Sequence, residues 1–451
     1  MLRKPLGMIT QTIDDVVDFV SDVATPIKTT KIAITGLSRS GKTVFITSLI
    51  DQLLHQNKLT SLTSQHRPFK VSLEPPRARV QRFDYYTYIN QIKNDAKWPK
   101  GTSSITSTLL EFESKAQFSL LANSKFRVEI IDYPGEWILD IALLNKSYEE
   151  WSNEVIKWMQ VIDEESVKEY LAKLEQLDKH SNQTLEKELH QKYSETIREL
   201  KAKHYANITP GRFLMPSDLA GDPMLLFAPI PKSSSSLHRA FKERYDTYLK
   251  EIVKKIQLEH FRGFDKQIVL IDIVEALQHG AQRYSDMKEG LRNMLSLYDH
   301  RNKNFIAQWF KPSIHSVTFV ATKADLVASS QHNNLLALLN EMVADIRREM
   351  DIGHIKTQTQ IIASLNSTQN IKCKHEGKSI SCLRGIDAKD GSVVEIYPGE
   401  MPSTFPKPSE WHAEDYAYEE FLPPQKSYKE GEPLEHIYMD RVIEMIIGEL
   451  L

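Results

Sequence analysis

Cysteine is nearly absent: the chain of 451 residues has two, Cys373 and Cys382. Thiols nine positions apart on a loop-rich stretch fit neither a disulfide framework nor a zinc cage, so a reducing compartment is expected. Long apolar runs are missing as well. Nothing approaches the roughly 18 consecutive apolar residues of a membrane-spanning helix, and the first residues carry no signal-peptide core. Neither sign of charge dominates, with 57 Lys and Arg against 60 Asp and Glu. No global field then favours nucleic acid or acidic lipid as a partner. The expectation is a soluble, cytoplasmic protein with no transmembrane segment of its own. Length alone gives a soft prior of about three domains.

What is present is organised around Lys31–Leu54, KIAITGLSRSGKTVFITSLIDQLL. Ile32, Ala33 and Ile34 form an apolar run of strand length. Gly36-Leu37-Ser38-Arg39-Ser40-Gly41-Lys42-Thr43 matches G-x-x-x-x-G-K-[ST]. A helical pattern follows, with Val44, Ile46, Leu49, Ile50, Leu53 and Leu54 on a broad apolar face. Strand, Gly-rich turn and helix is the context the motif needs. Backbone N–H groups of Ser38 to Val44, in the turn and at the helix start, can point at an anion, and the helix dipole favours phosphate there. Lys42 would reach the β- and γ-phosphates, and the Thr43 hydroxyl would hold Mg²⁺.

Before this motif, residues 8–24 read as a helix with an apolar stripe and an acidic polar face. That charge speaks against a membrane surface, so the helix is expected to pack on the protein. After the motif, Arg77, Arg79 and Arg82 interleave with Phe83, Tyr85, Tyr86 and Tyr88. Snorkelling arginines on an aromatic core face account for this in a neutral chain better than nucleic-acid stacking does. One of these arginines could instead reach the nucleotide phosphates in cis. Trp98-Pro99 breaks the pattern, and two strand-like runs follow, Ser107–Glu113 and Phe126–Asp132. The second ends I-D-Y-P-G-E-W. An apolar strand ending in Asp132 is a Mg²⁺-holding arrangement, and Gly135 completes D-x-x-G, whose backbone N–H can meet a γ-phosphate.

From about Asp140 to Phe264 the composition shifts. Glu164–Lys203 is rich in Glu, Lys, Leu and His and predicts a helical hairpin or short coiled-coil-like arm. Pro210–Pro231 should be largely irregular, and Ser235–Glu259 is helical again. His190 and His204 read as isolated surface residues. Apolar strands return at Gln267–Asp272 and Ser316–Asp325, separated by helix-prone Gln282–Gln308 and followed by helical Asn334–Glu349 and a strand at Thr359–Ser364. This alternation predicts an α/β fold with a mostly parallel sheet covered on both faces, ligands sitting at the carboxyl ends of its strands. Past residue 370, Ser379–Gly385 and Ser392–Ile396 predict a hairpin around Asp387–Gly391. A Pro-rich loop and an amphipathic helix over Leu434–Leu451 complete the chain. The expected units are 1–30, a discontinuous core of 31–139 with 267–370, a helical insertion at 140–266, and a tail at 371–451.

Gly36–Thr43, Asp132–Gly135 and Thr322-Lys323-Ala324-Asp325 stand in the order of the G1, G3 and G4 boxes of Ras-like GTPases. The last resembles [NT]-K-x-D, whose carboxylate accepts from guanine N1–H and the exocyclic amine, a donor pair adenine lacks. The resemblance puts Lys323 over the base plane and Ala363-Ser364-Leu365 in the place of the weaker G5 loop, where Ser364 and Leu365 would meet the base. More closely, G-L-S-R-S-G-K-T-V-F, Trp98-Pro99, I-D-Y-P-G-E-W and T-K-A-D resemble the YcjX-like bacterial stress proteins, P-loop proteins with a Ras-like GTPase core. That resemblance implies a three-layer fold with a large insertion between G3 and G4 and a C-terminal extension. It also implies GTP and GDP binding with Mg²⁺, a stress role, and partnership with an inner-membrane protein.

Glu136 departs from the Ras-like pattern, which often places a water-orienting Gln there. A carboxylate beside a γ-phosphate is repelled unless a cation compensates. Thr102, after the Trp-Pro break, is the residue expected to complete the metal and phosphate contacts of switch I, with Thr106 as the alternative. Arg39 would touch phosphate or point at solvent. The leading expectation is a GTP/GDP switch with slow GTPase activity, Lys42, Thr102, Gly135 and Glu136 lying nearest the reaction. An ATP-driven enzyme and a nucleotide-binding module without hydrolysis are the alternatives.

Overall fold

The structure, a computed structural model, describes residues 27–56, 58–60, 62, 68–75, 80–101, 104–114, 124–177, 183–216, 219–256, 263–295, 314–375, 378–416 and 418–451. The helix expected over 8–24, together with Arg77, Arg79 and Thr102, lies outside the described residues, as does the region beyond Leu295 that was expected to stay helical to Gln308.

Strand β1 (Thr29–Gly36) leads through the Gly-rich turn into helix α1 (Lys42–His55). β2 (Phe69–Glu74), β3 (Gln81–Arg82) and helix α2 (Tyr85–Lys93) precede the long pair β4 (Thr106–Ser114) and β5 (Ser124–Asp132). After α3 (Gly135–Ile141) come the helices α4 (Tyr148–Gln160), α5 (Glu165–Glu175), α6 (Gln183–Ala202) and α7 (Ser236–Tyr248). The sheet resumes with β6 (Lys266–Ile271), then α8 (Ile273–Gln278), α9 (Gly280–Leu295), β7 (Ser316–Ala321), α10 (His332–Ile352) and β8 (Lys356–Ile361). The order across the main sheet is β2-β4-β5-β1-β6-β7-β8, with β3 beside β4. β5, β1, β6, β7 and β8 are mutually parallel, whereas β4 runs antiparallel to both β5 and β2.

The period of two along these strands builds a separate core on each face. Ile32, Ile34, Ile268, Leu270 and Val320 pack with α1 on one face. Ala33, Val269, Ile271, Phe319 and Ala321 pack with α8, α9 and α10 on the other. Helix α11 (Met439–Ile447) closes the α1 face. It is shorter than the helix expected from Leu434, because residues 434–437 are not helical, Ile437 pairing with Ala363, and Tyr438 then turns through a left-handed conformation.

Between β5 and β6 the helices do not form a projecting arm. α5 and α6 pack with α4 and α7 around a separate core of Trp151, Tyr193, Phe227 and Tyr245, with Trp151 and Tyr245 stacked at 5.2 Å. These aromatic side chains are far apart in sequence, so the leucine spacing within one helix pair could not reveal their meeting. The described residues of 210–231 are largely irregular, with single turns at Gly211–Leu214 and Pro223–Leu225, yet Phe213, Phe227 and Ile230 are buried in that core. In the tail, β10 (Lys378–Ile386) and β11 (Val393–Ile396) form the expected hairpin, and Gly391 supplies its positive φ of 76°. β9 (Gln369–His375) adds a third strand that its polar sequence, QNIKCKH, did not signal.

Candidate functional site

The turn from β1 into α1 is shaped by glycine. At Gly36 a Cβ would stand 2.5 Å from the Leu270 carbonyl oxygen and 2.6 Å from Ser40 Oγ. Arg39 and Gly41 take φ values of 64° and 81°, a left-handed pattern that can turn successive N–H groups inward as an anion cradle. Lys42 Nζ donates to the carbonyls of Gly36, at 2.9 Å, and Leu37, at 3.1 Å. Burial pulls its pKa below the ordinary lysine value, against the opposing charges of Asp132 and Glu136. Thr43 and Asp132 are buried, the latter at the carboxyl end of β5. Thr106 opens β4 directly opposite Asp132, with its hydroxyl buried.

Gly135 begins α3 against the turn. A Cβ there would stand 2.4 Å from the Gly36 carbonyl oxygen and 3.1 Å from Lys42 Nζ, so only glycine allows this approach. Glu136 is ion-paired with Lys201, from the last turn of α6. Burial pushes the Glu136 carboxyl up, but Lys201 and then Lys42 hold it below the usual carboxylate range. An open cavity of about 420 Å³ is lined by Ser38–Val44, Gly135, Glu136 and Lys201.

A second cavity, of about 230 Å³, shares Gly41 and Val44 with the first. Lys323, Asp325, Ser364 and Leu365 line it, and so do Trp98 and Phe421. Asp325 follows β7 and is buried. Its Oδ2 accepts from Ser367 N at 3.1 Å and Ser367 Oγ at 2.5 Å. Burial raises the Asp325 pKa, and the Ser367 hydrogen bonds and Lys323 oppose that rise. Lys323 has a left-handed backbone, φ 60°, and its Nζ lies 2.5 Å from Asp272 Oδ2. Burial pulls Lys323 down, yet Asp272 outweighs it and the pKa is pushed up to about 12.

The predicted residues thus fall into two adjoining groups. Ser38–Val44, Gly135 and Glu136 surround one cavity, with Asp132 beside Lys42; Lys323, Asp325, Ser364 and Leu365 surround the other. Thr102 is not among the described residues. Arg39 is exposed and lines the phosphate-side cavity, and its Nη1 lies 3.0 Å from a ring nitrogen of His204. His204 is in turn 2.6 Å from Glu275 and stacks on His279 at 4.1 Å, so it is not isolated. His190 is half-buried and not isolated either. Its Nδ1 donates to the Phe227 carbonyl at 3.1 Å, and burial lowers its pKa.

Several lining residues had no legible signal. Lys201 is one lysine among many on a charged helix. Phe421 lies in the tail, where Leu422 N donates to Ile386 O and a Cβ on Gly385 would strike the Phe421 ring at 2.4 Å. Trp98 reads in sequence as a helix breaker and part of the family resemblance, neither of which places it at the site, whereas its Nε1 donates to Phe421 O at 2.7 Å. The Ser367 hydroxyl is a short polar group a few residues past the last parallel strand and could have been proposed from that spacing.

A Gly-rich phosphate-loop motif, an Asp ending the neighbouring strand and a T-K-x-D turn two strands away, on a mostly parallel sheet covered on both faces, define a Ras-like P-loop α/β protein. The chain belongs to the YcjX-like family, DUF463, whose profile matches residues 30–451. It is 31% identical over 446 residues to the Ras-like GTPase YcjX of Escherichia coli (strain K12), covering 93% of this chain and 96% of that protein. It is 26% identical over 458 residues to the Ras-like GTPase YcjX of Shewanella oneidensis, covering 93% and 94% of the two.

Proposed function

We propose that this protein binds GTP and GDP and is a slow GTPase whose nucleotide state changes the segments around Gly135. The observation that carries the reading is the adjacency of the two cavities. One has a lysine and a left-handed turn suited to phosphate, and the other has a buried carboxylate, Asp325, suited to the donor edge of guanine. A site built on such a carboxylate rejects a base without that donor pair strongly, because the buried acceptor is then left unsatisfied. Ser40 Oγ is buried with no hydrogen-bond partner among the described residues, and a phosphate oxygen would satisfy it.

Thr43 and Asp132 would hold Mg²⁺, since hydroxyl and carboxylate oxygens are the donors this hard cation takes. When bound, the ion would neutralise charge on the β- and γ-phosphates. The chain's own groups do the rest: Lys42 leaves the Gly36 and Leu37 carbonyls for phosphate, and Gly135 N–H meets the γ-phosphate. Family resemblance extends the reading to a cytosolic stress response with an inner-membrane protein as partner.

Titration with fluorescent GTP, GDP and ATP in Mg²⁺ is the test. Guanine nucleotides are expected to bind at least about 100-fold more tightly than ATP; equal affinity for ATP would overturn the guanine assignment. Glu136, paired with Lys201 where a Gln would orient water, favours a second reading in which hydrolysis is absent. Single-turnover phosphate release separates the two: a rate on the order of 10⁻⁴ to 10⁻² s⁻¹ fits a Ras-like site, and none at all fits the binding module.

A further inference from the structure

We propose that Lys201 recognises the γ-phosphate, so that the helical segment between β5 and β6 supplies a second cation to the site in cis and distinguishes GTP from GDP. The proposal rests on the guanine-nucleotide reading above and adds to it a residue that lies 65 positions from Glu136 in sequence. Arginines near residues 77–82 were the cationic candidates legible in sequence, but Arg82 sits exposed on β3 and lines neither cavity. Lys201 does line the phosphate-side cavity. It is close enough to Lys42 to lower that residue's pKa.

Its position is fixed from several sides. Lys203, two residues on, pairs with Glu164 and Glu199, and Arg283 Nε donates to the Lys203 carbonyl at 2.8 Å. Beyond them the same segment returns to α3. A Cβ on Gly211 would stand 2.0 Å from the Glu136 carbonyl oxygen, so the two backbones are in direct contact. Asp140 accepts from Gly211 N at 2.6 Å and Arg212 N at 3.2 Å, and the Arg212 guanidinium lies 3.5 Å over the Trp137 ring. The end of α6 and the start of α3 are therefore packed directly against each other.

A lysine held here has an anionic partner, Glu136, and an open cavity beside it. The ammonium has three donors, so it can keep Glu136 and still donate to a phosphate oxygen. Lys201 thereby cancels the repulsion that Glu136 alone would exert on a γ-phosphate. GDP ends at the β-phosphate, within reach of Lys42 and the turn, and leaves Lys201 with Glu136 only. The geometry thus assigns Lys201 to the one group by which GTP and GDP differ.

The test uses the full chain with Mg²⁺, titrated with GDP and with a non-hydrolysable GTP analogue. Lys201→Met is expected to lower the ratio of analogue to GDP affinity about tenfold or more, the loss of one charge-assisted hydrogen bond to phosphate. Lys201→Arg is expected to restore most of the ratio, and Glu136→Gln to move it the opposite way. A ratio unchanged within twofold in a folded Lys201→Met protein overturns the proposal while leaving the guanine-nucleotide reading intact. Should Lys201→Met fail to fold, acetic anhydride labelling of the wild-type chain decides. Lys201 is expected to be protected by the analogue and not by GDP, and equal labelling overturns the proposal. Failure of the wild-type chain to bind either nucleotide overturns the underlying reading and this one with it.

Discussion

Asp140, in the last turn of α3, carries a carboxyl where almost no water reaches it, 3% exposed. Tyr248 Oη, Gly211 N and Arg212 N all donate to it, yet burial outweighs them and its pKa rises to about 6 from 3.8. The folded state therefore binds this proton more tightly than the unfolded chain. Its contribution to stability is full below about pH 4 and is lost as pH rises through about 6, a change of about 3 kcal/mol. Carboxyl-carbon NMR of the folded protein is expected to show Asp140 titrating near pH 6, and a midpoint at or below 4 would refute the assignment. Asp325 lines the base-side cavity with one oxygen already engaged by Ser367. Asp325→Ala removes the acceptor proposed for guanine, and GTP affinity is expected to fall by about 100-fold or more. The unsatisfied Ser367 donors should lower stability by only about 1–3 kcal/mol, which thermal melting would separate from the binding loss.

At the level of elements, the base-side cavity is roofed by pieces from opposite ends of the chain. α2 ends shortly before Trp98, and the indole N–H reaches the tail at Phe421. The tail is anchored in turn by Ala388 N to Glu420 O and Leu422 N to Ile386 O. Trp98 is 38% exposed, so a nucleotide entering the cavity would change its surroundings. A change in tryptophan fluorescence is expected on adding GTP or GDP, and it should vanish in Trp98→Phe. That variant should weaken both nucleotides alike, by roughly three- to tenfold for the lost hydrogen bond and ring contact. A selective effect on GTP would mean that Trp98 senses phosphate rather than base. The contrast with Lys201→Met, which should act on GTP alone, places the two ends of the site under separate tests.

For the whole molecule, the last residues complete the core as well as roofing the site. Met439, Val442, Ile443, Ile446 and Ile447 of α11 are at most 2% exposed and pack on the face shared by β1, β6 and α1. Just before them, Leu434 N donates to Asp51 Oδ2 and its carbonyl accepts from Gln52 Nε2, each at 2.7 Å, tying the tail to the phosphate-loop helix. Burial of each large apolar side chain stabilises by about 1.5–3 kcal/mol. Removing α11 thus forfeits on the order of 10 kcal/mol, comparable to the about 5–15 kcal/mol net stability of a typical domain. A chain ending at Tyr438 is expected to lose its cooperative thermal transition in calorimetry. A transition within a few degrees of the full chain's would show that α11 is dispensable.

Sequence by itself determined what local chemistry controls. The glycines of the phosphate loop, the apolar strand ending in Asp132 and the T-K-A-D turn at the end of β7 each depend on a few adjacent residues and a period of two. The parallel alternation followed from the same patterns, and with it the rule that ligands gather at strand ends. The polar strand β9 escaped because no apolar alternation marks it, although its partner β10 follows closely in sequence. The aromatic core shared by α4, α6 and α7 escaped because its members are distant in sequence and no local period records them. Tertiary structure alone decided which lysine among the charged helices faces Glu136, that Arg39 turns to His204, and that Phe421 reaches Trp98. Those are meetings between residues far apart in the chain, and packing selects them: a solvated lysine and one facing a cavity have the same local sequence signature.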